Sequence, residues 1–381
     1  MRHSSLLFAM ALAAALAARA ETVVDVSGAG AAKKTVSIDV GNADYAKSLR
    51  RNLELSGLFT VVQGGRASVR VTGTPGAKVS AEGPGRTISS SAAVSDAKSA
   101  RMAARRLADA ICENFGGAKG FAMDKIAFFN RKGGGVSELC MAYPDGLDVR
   151  QLTGDAKPAL GPRWKDQGTV YYIGYLKGGQ QIYEIDVETG KRRLAWNLRG
   201  VSSPAVVSPD GTKVAVVASF QGNPELYVLS GNRFTRLTNT PGASEGCPSW
   251  SPDGRKIVYV SNESRRQHLY IVDVATKKTR RLTAKGRDNV EPDWGRDGRI
   301  AYITNRGGAQ VAIMDPAEGE SSARLVTEPG TWEHPSWSRD MRHVVASRDG
   351  ALFVVDTMEG GDGPRQVFSA NGNWIDPTWS R

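Results

Sequence analysis

Cysteine and histidine are scarce in this chain, and their scarcity closes several functional classes at once. The 381 residues hold three cysteines, Cys112, Cys140 and Cys247. They permit at most one disulfide and none stands in a C-x-x-C spacing, which excludes a disulfide scaffold and a cysteine zinc site. The four histidines, His3, His268, His334 and His343, include no H-E-x-x-H and no tight pair, so the zinc-hydrolase pattern is absent. Long basic runs are missing too. The net charge of +11 comes with no cluster larger than Arg265-Arg266, or Lys277-Lys278 with Arg280-Arg281, so it reads as a solvated surface and no nucleic-acid partner is expected. One match to the hydrolase elbow G-x-S-x-G spans Gly242–Gly246. It lacks the strand before and helix after that would make Ser244 a nucleophile, and no enzyme is expected.

Only one long apolar run occurs. Leu6–Ala18 follows Arg2 and His3, is too short to span a bilayer, and ends at Ala18-Arg19-Ala20, which offers small residues for cleavage. Residues 1–20 therefore read as a secretory signal peptide. Removing them takes away Arg2 and Arg19 and no acid, leaving 11 − 2 = +9. In an exported protein such a charge points to anionic envelope polymers, lipid head groups or an acidic protein.

The rest of the chain is dominated by a repeat. Pro162, Pro204, Pro248, Pro292, Pro335 and Pro377 recur at gaps of 42, 44, 44, 43 and 42 residues. Two positions after each come Trp164, Val206, Trp250, Trp294, Trp337 and Trp379, so the second unit alone lacks the ring. In the clearest unit, Pro248-Ser249-Trp250-Ser251-Pro252-Asp253-Gly254 is an inner strand running into a turn, where Pro presets φ and Gly tolerates φ > 0. Residues 256–262, 268–274 and 279–283 follow as three more strands. Four antiparallel strands per period of about 43 predict a β-propeller blade. The fifth unit, Ser338-Arg339-Asp340-Met341, lacks the turn glycine. A Leu-Thr pair recurs on the fourth strand at Leu152-Thr153, Leu237-Thr238 and Leu282-Thr283.

The sixth Pro-x-Trp falls at residues 377–379 with no outer strands after it, while residues 125–131, 138–143 and 149–153 read as outer strands with no Pro-x-Trp before them. The two fragments complete one blade. The C-terminal strand is expected to pair from residue 126 onward and close a six-bladed ring, which removes the exposed edge of an open array. The fold class is therefore mainly β, a six-bladed propeller over 120–381 preceded by a small α+β domain over 35–119. In that domain, residues 35–40 alternate as a strand. Asp44–Ser56 is a helix with Tyr45, Leu49, Leu53 and Leu55 on one face and Gly57 as its stop. Strands follow near 58–62, 67–74, 77–82 and 86–94, then a helix from an Asp96 cap to Phe115 with Met102, Leu107 and Ile111 inward. Residues 21–34 read as a mobile N-terminal arm.

This order, with Leu49–Val62 (LRRNLELSGLFTVV), Gly117–Phe129 (GAKGFAMDKIAFF) and the closing Pro377-Thr378-Trp379-Ser380, resembles the TolB family of periplasmic propeller proteins of the Tol–Pal envelope system. The resemblance covers nearly the whole chain. It implies a monomeric, non-enzymatic docking protein of the periplasm. Its propeller mouth would receive a peptidoglycan-associated lipoprotein like Pal, and its arm would meet an inner-membrane protein like TolA. Carried onto this sequence, the arm is represented by Glu21, Thr22, Val23, Val24, Asp25 and Val26. The mouth falls on the segments just before the inner strands, with Ser203, Glu245, Cys247, Val290, Glu291, Glu333, His334 and Asp376. Val290-Glu291-Pro292 echoes the family's Glu-Pro start, whereas Cys247, His334 and Asp376 depart from it.

Read physically, loops leading into the innermost strands converge on the axis, so Glu245, Glu291, Glu333 and Asp376 are expected to gather at one mouth. Four carboxylates there suit a cationic peptide segment, and His334 is placed to tune binding with pH. The competing reading has these acids capping turns separately in solvent. No cofactor is expected, with a calcium ion in the channel as the alternative that oxygen ligands leave open. A secreted propeller that binds a glycan or peptide without Tol partners is the alternative function.

Overall fold

Alternating strands punctuated by Asp-Gly turns fold in the computed structural model as six four-stranded sheets and one five-stranded sheet. It describes residues 32–176, 178–198, 200–367 and 372–380. The arm residues Glu21, Thr22, Val23, Val24, Asp25 and Val26 lie outside the described residues. Residues 32–381 form one compact unit.

The five-stranded sheet belongs to the small domain: β1 (Lys34–Val40), β2 (Phe59–Val62), β3 (Val69–Thr74), β4 (Lys78–Gly83) and β5 (Arg86–Ser90), in the order β2-β1-β3-β4-β5. β1 runs parallel to β2 and β3, and the rest is an antiparallel meander. Two helices, α1 (Ala43–Leu55) and α2 (Ala97–Ile111), cover one face. Asn42 caps α1 by accepting from Tyr45 N at 3.0 Å, and Gly57 takes φ +66° just past its end. Asp96 caps α2 in a reciprocal box with Ser99. Tyr45, Leu49, Leu53, Leu107 and Ile111 pack on Val36, Val69 and Val71.

Two inward assignments on the helices are corrected. Met102 is half-exposed, and the fully buried long side chain of α2 is Arg105. Its guanidinium is matched by Asp145 of the propeller in a two-pronged pair, both contacts at 2.9 Å. Leu55 leaves the small-domain core and packs instead with Phe121, Val345, Val367 and Trp379 of the propeller. The helix also changes character after Ile111, continuing to Gly116 as a wider π turn.

The propeller closes as the sequence predicts. The C-terminal strand Trp374–Trp379 pairs antiparallel with Ile126–Arg131, with Trp379 opposite Ile126, and heads the sixth blade with Ser137–Ala142 and Arg150–Gln151. The other inner strands are Ala159–Trp164, Val206–Val207, Glu245–Trp250, Asn289–Trp294 and Glu333–Trp337, for blades one to five. Each motif of the repeat has a physical task. The Thr of the Leu-Thr pair accepts a buried third-strand N–H: Leu139 N to Thr153, Leu226 N to Thr238 and Leu269 N to Thr283, at 2.9 to 3.0 Å. The turn Asp ties back to the preceding Ser in Ser208–Asp210 and Ser251–Asp253. Where the fifth blade lacks the glycine, Met341 adopts φ +55° in its place. Trp250 and Trp164 donate their indole N–H to carbonyls of the preceding blade, Val206 O and Thr378 O, both at 2.9 Å.

Candidate functional site

All six inner strands face the axis and enclose a cavity of about 460 Å³. In blades two to six the residue before the ring proline was expected in a loop. In five blades it lies inside the inner strand at a β-bulge, where the register with the second strand slips. Gly161 has φ +63°, and Cys247, Glu291, His334 and Asp376 have φ of 47, 54, 51 and 58°. A left-handed conformation costs a non-glycine residue on the order of 1 kcal/mol. Four blades accept that cost at the same register position, and the bulge re-aims each side chain around the ring. Blade two differs: Ser203 keeps an ordinary φ, and its Oγ accepts from Val217 N at 2.9 Å, so it serves the blade rather than the channel.

The bulges bring three consecutive blades together. His334 Nε2 lies 2.7 Å from Asp376 Oδ1 and 3.2 Å from Glu291 Oε1. The second Glu291 oxygen accepts from His334 N at 2.6 Å, and the second Asp376 oxygen accepts from Gly161 N at 3.0 Å. Burial works against a charge on the ring, but the carboxylates of Asp376 and Glu291 outweigh it and raise the His334 pKa to about 9. Burial likewise opposes ionisation of Asp376, yet His334, Arg163 and the Gly161 N–H hold its carboxyl far below the ordinary range. The cluster is therefore an imidazolium clamped between two carboxylates. His334 is already charged at neutral pH, so its titration falls above the range in which the sequence placed a pH response.

The four-carboxylate mouth is not formed. Glu291 and Asp376 meet, whereas Glu245 is buried between Thr240 (2.5 Å) and Ser261 (3.4 Å), where burial raises its pKa to about 7. Glu333 is exposed and does not line the cavity. Both begin strands two or three residues before the ring proline, beyond the bulge, paired in register with Ser261 and Ser347 of the second strand. Val290 and Cys247 pack among apolar side chains between blades. All three cysteines are free.

Sequence reading passed over the residues one place after the proline. Ser249 Oγ accepts from Trp294 N (2.9 Å), Asp293 from Trp337 N (2.8 Å) and Ser336 Oγ from Trp379 N (3.1 Å). These bonds lace each inner strand to the next across blades three to six. Blade one has Arg163 at this position, lining the cavity. The repeat register holds the signal that identifies these neighbours, since equivalent positions of consecutive blades sit side by side. The Gly242–Gly246 elbow lies on the approach to an inner strand, with no helix after it. Among the described residues no helix is long and apolar enough to cross a membrane.

Comparison with known proteins agrees with this architecture. The family described as TolB beta propeller domain matches residues 112–381. A Tol-Pal system protein TolB from Francisella tularensis subsp. tularensis is 24% identical over 301 residues, covering 74% of this chain and 69% of the relative. Its counterpart from subsp. mediasiatica matches with the same identity and coverage. The crystal structure of TolB from Acinetobacter baumannii superposes with a TM-score of 0.80 at 23% identity, over 92% of this chain and 97% of the other. A putative TolB from Agrobacterium tumefaciens matches more distantly, with a TM-score of 0.52 at 18% identity, over 67% and 92%. The whole-length architecture, the six-blade closure and the match over 112–381 together make this chain a member of the TolB β-propeller family.

Proposed function

We propose that the chain is a non-enzymatic periplasmic adaptor of a Tol–Pal type system. It receives a Pal-like lipoprotein at the channel mouth formed by blades four to six, and meets a TolA-like inner-membrane protein through residues 21–34. The observation that carries the reading is the ring of bulges. Left-handed φ at Glu291, His334 and Asp376, of which Glu291 and His334 line the axial cavity, is backbone strain gathered in one cluster, where a fold holds it for recognition. Membership of the TolB family supplies the partner class. The adaptor takes no metal in this reading. Glu291 and Asp376 commit their oxygens to His334 and Gly161, short of the roughly six to eight free oxygens a calcium ion takes.

The test is affinity capture from solubilised envelopes with mature protein from Glu21 onward as bait. Wild type is expected to retain a Pal-like lipoprotein, and Glu291→Arg to lose it even when assayed well below its thermal midpoint, which should itself fall because Glu291 also clamps His334. Deleting residues 21–31 should leave that capture intact and abolish recovery of the inner-membrane partner. Recovery of a glycan with no lipoprotein would move the function to a secreted binder without Tol partners.

A further inference from the structure

The acids of the channel already accept hydrogen bonds, with which an incoming cation would have to compete. Glu291 and Asp376 each use both oxygens on His334 and Gly161. Asp293 accepts from Trp337 N and faces Ser249. Arg163 is in the opposite position. Its counterparts Ser249, Asp293 and Ser336 are consumed as acceptors for the next blade's Trp N–H, but a guanidinium has only donors and no lone pair. It cannot lace blade one to blade two, and blade two has Val206 where the Trp would stand. Among the described residues the Arg163 guanidinium makes one hydrogen bond, from Nη1 to the Pro162 carbonyl at 2.8 Å. Among the described residues no carboxylate lies within 4.0 Å of it, and the nearest influence is the longer-range pull it exerts on Asp376. A half-buried guanidinium fork lining the cavity, with most of its donors uncommitted, is a carboxylate receptor by geometry and chemistry.

We propose that Arg163 is the recognition group of the channel, and that it binds a carboxylate carried by the protein segment inserted at the mouth. This rests on the docking reading above and reverses the expectation of a cationic segment. The imidazolium of His334 offsets one of the two negative charges of Glu291 and Asp376 and so lessens their repulsion of the incoming acid. The Arg163–carboxylate pair then forms in a channel that solvent leaves as the segment enters, which strengthens it.

The experiment has two arms. In the first, mature protein labelled with ¹⁵N-arginine is titrated with N-acetylglutamate methylamide and, separately, with its glutamine counterpart. The Arg163 Nε–H resonance, assigned by its loss in Arg163→Lys, should move with the glutamate probe and stay put with the glutamine probe. Arg163→Gln should abolish binding of the glutamate probe, and Arg163→Lys, which keeps the charge without the fork, should weaken it. Equal response to both probes, response to neither, or unchanged glutamate binding by Arg163→Gln overturns the assignment. In the second arm, Arg163→Gln should weaken capture of the lipoprotein by about thirtyfold or more, the size expected for truncating one partner of a desolvated charge pair. If wild type and Arg163→Gln capture it equally, the carboxylate assignment falls and the docking reading stands. If wild type captures no lipoprotein while the first arm succeeds, the docking reading falls and the anion site stands.

Discussion

At the residue scale, two charged side chains that sequence rules place on the surface decide most of the chemistry, because each finds its counter-charge in another repeat or domain. Arg105 is wholly buried, pairs with both oxygens of Asp145, reaches Asp148 at 2.9 Å, and lies 3.9 Å over the Tyr143 ring. Ser48 and Asn52 of α1 add bonds to Asp145 at 2.7 and 3.2 Å. Asp145→Ala would leave that guanidinium buried without its main partner, so a loss of about 3–5 kcal/mol is expected in denaturant unfolding. An Arg105→Met/Asp145→Leu double variant should recover much of the loss, because it leaves no orphan charge. His334 gives a test of sign. Its pKa rises from 6.5 to about 9 on folding, so its stabilisation is complete below pH 6.5 and is lost as pH climbs through 9. The slope in that interval is at most about 1.4 kcal/mol per pH unit. NMR titration should find the ring protonated at pH 7.5, and His334→Gln should remove the alkaline decline in stability. A ring that titrates near 6.5 would show that the clamp is not formed in solution.

At the element scale, the strand Trp374–Trp379 is the fastener of the ring, as its pairing with Ile126–Arg131 is, among the described residues, the one seam in a blade that joins strands far apart in sequence. A chain ending after Asn373 should expose the edge of Ile126–Arg131, self-associate, and lose cooperative unfolding; size-exclusion chromatography and a urea titration read both effects. Within a blade, Thr283→Val removes the acceptor of Leu269 N. It should cost about 1–3 kcal/mol, the penalty for a buried orphan donor. These elements were legible because a propeller writes its architecture locally. Proline recurs in every period, Trp in all but the second, and Asp-Gly and Leu-Thr in several, and the count of inner against outer strands fixes the closure. The site was half legible. The residue before the proline was singled out in blades two to six, though not Gly161 in blade one, but assigning it to a loop missed the bulge, since nothing in a lone Glu-Pro or His-Pro announces a left-handed φ. Glu245 and Glu333 were misplaced for a related reason: they stand two or three residues before the ring proline, and a one-residue bulge in between decides which way the side-chain parity runs. Arg105 gave no signal, since an arginine in an amphipathic helix reads as solvated until its partner domain is known.

At the scale of the whole molecule, the small domain and the propeller share a core and a titrating junction, so they should unfold together and respond together to acid. Leu55 sits in the propeller cluster with Phe121 and Trp379, Arg365 donates to Glu54 O at 2.6 Å, and Lys33 pairs with Asp362. Between α2 and the fifth blade, Asp109 accepts from Ala122 N and Met123 N at 2.7 and 3.1 Å. Arg339 stands 3.4 Å from Asp124 and donates to Gly120 O at 3.2 Å. Burial raises Asp109 to about 6, against the pull of those N–H groups and Arg339, with Glu113 adding to the rise. Burial raises Asp124 to about 7, opposed by Arg339 and reinforced by Asp109 and Asp340. Raised carboxyl pKa values mean that the folded state binds more protons than the unfolded chain. Stability from this junction is therefore complete below the ordinary carboxyl range near pH 4 and declines as pH rises through 6 and 7. Glu245, raised to about 7 inside blade three, acts in the same window. His334 loses its contribution only above 6.5, so between pH 4.5 and 6.5 the decline from the acids is opposed by His268, whose pKa burial lowers and whose contribution rises with pH up to 6.5. Asp124→Asn cannot ionise and should flatten part of the decline in that interval, with Glu245→Gln removing a separate and additive share. Calorimetry at half-unit pH steps reads both, and should show one transition for the wild type. Leu55→Ala, costing about 2–5 kcal/mol as a buried truncation, is the variant expected to split that transition into two. A single sharp transition in Leu55→Ala, with an unchanged pH slope in Asp124→Asn, would mean that the coupling resides elsewhere, in the Arg105–Asp145 pair.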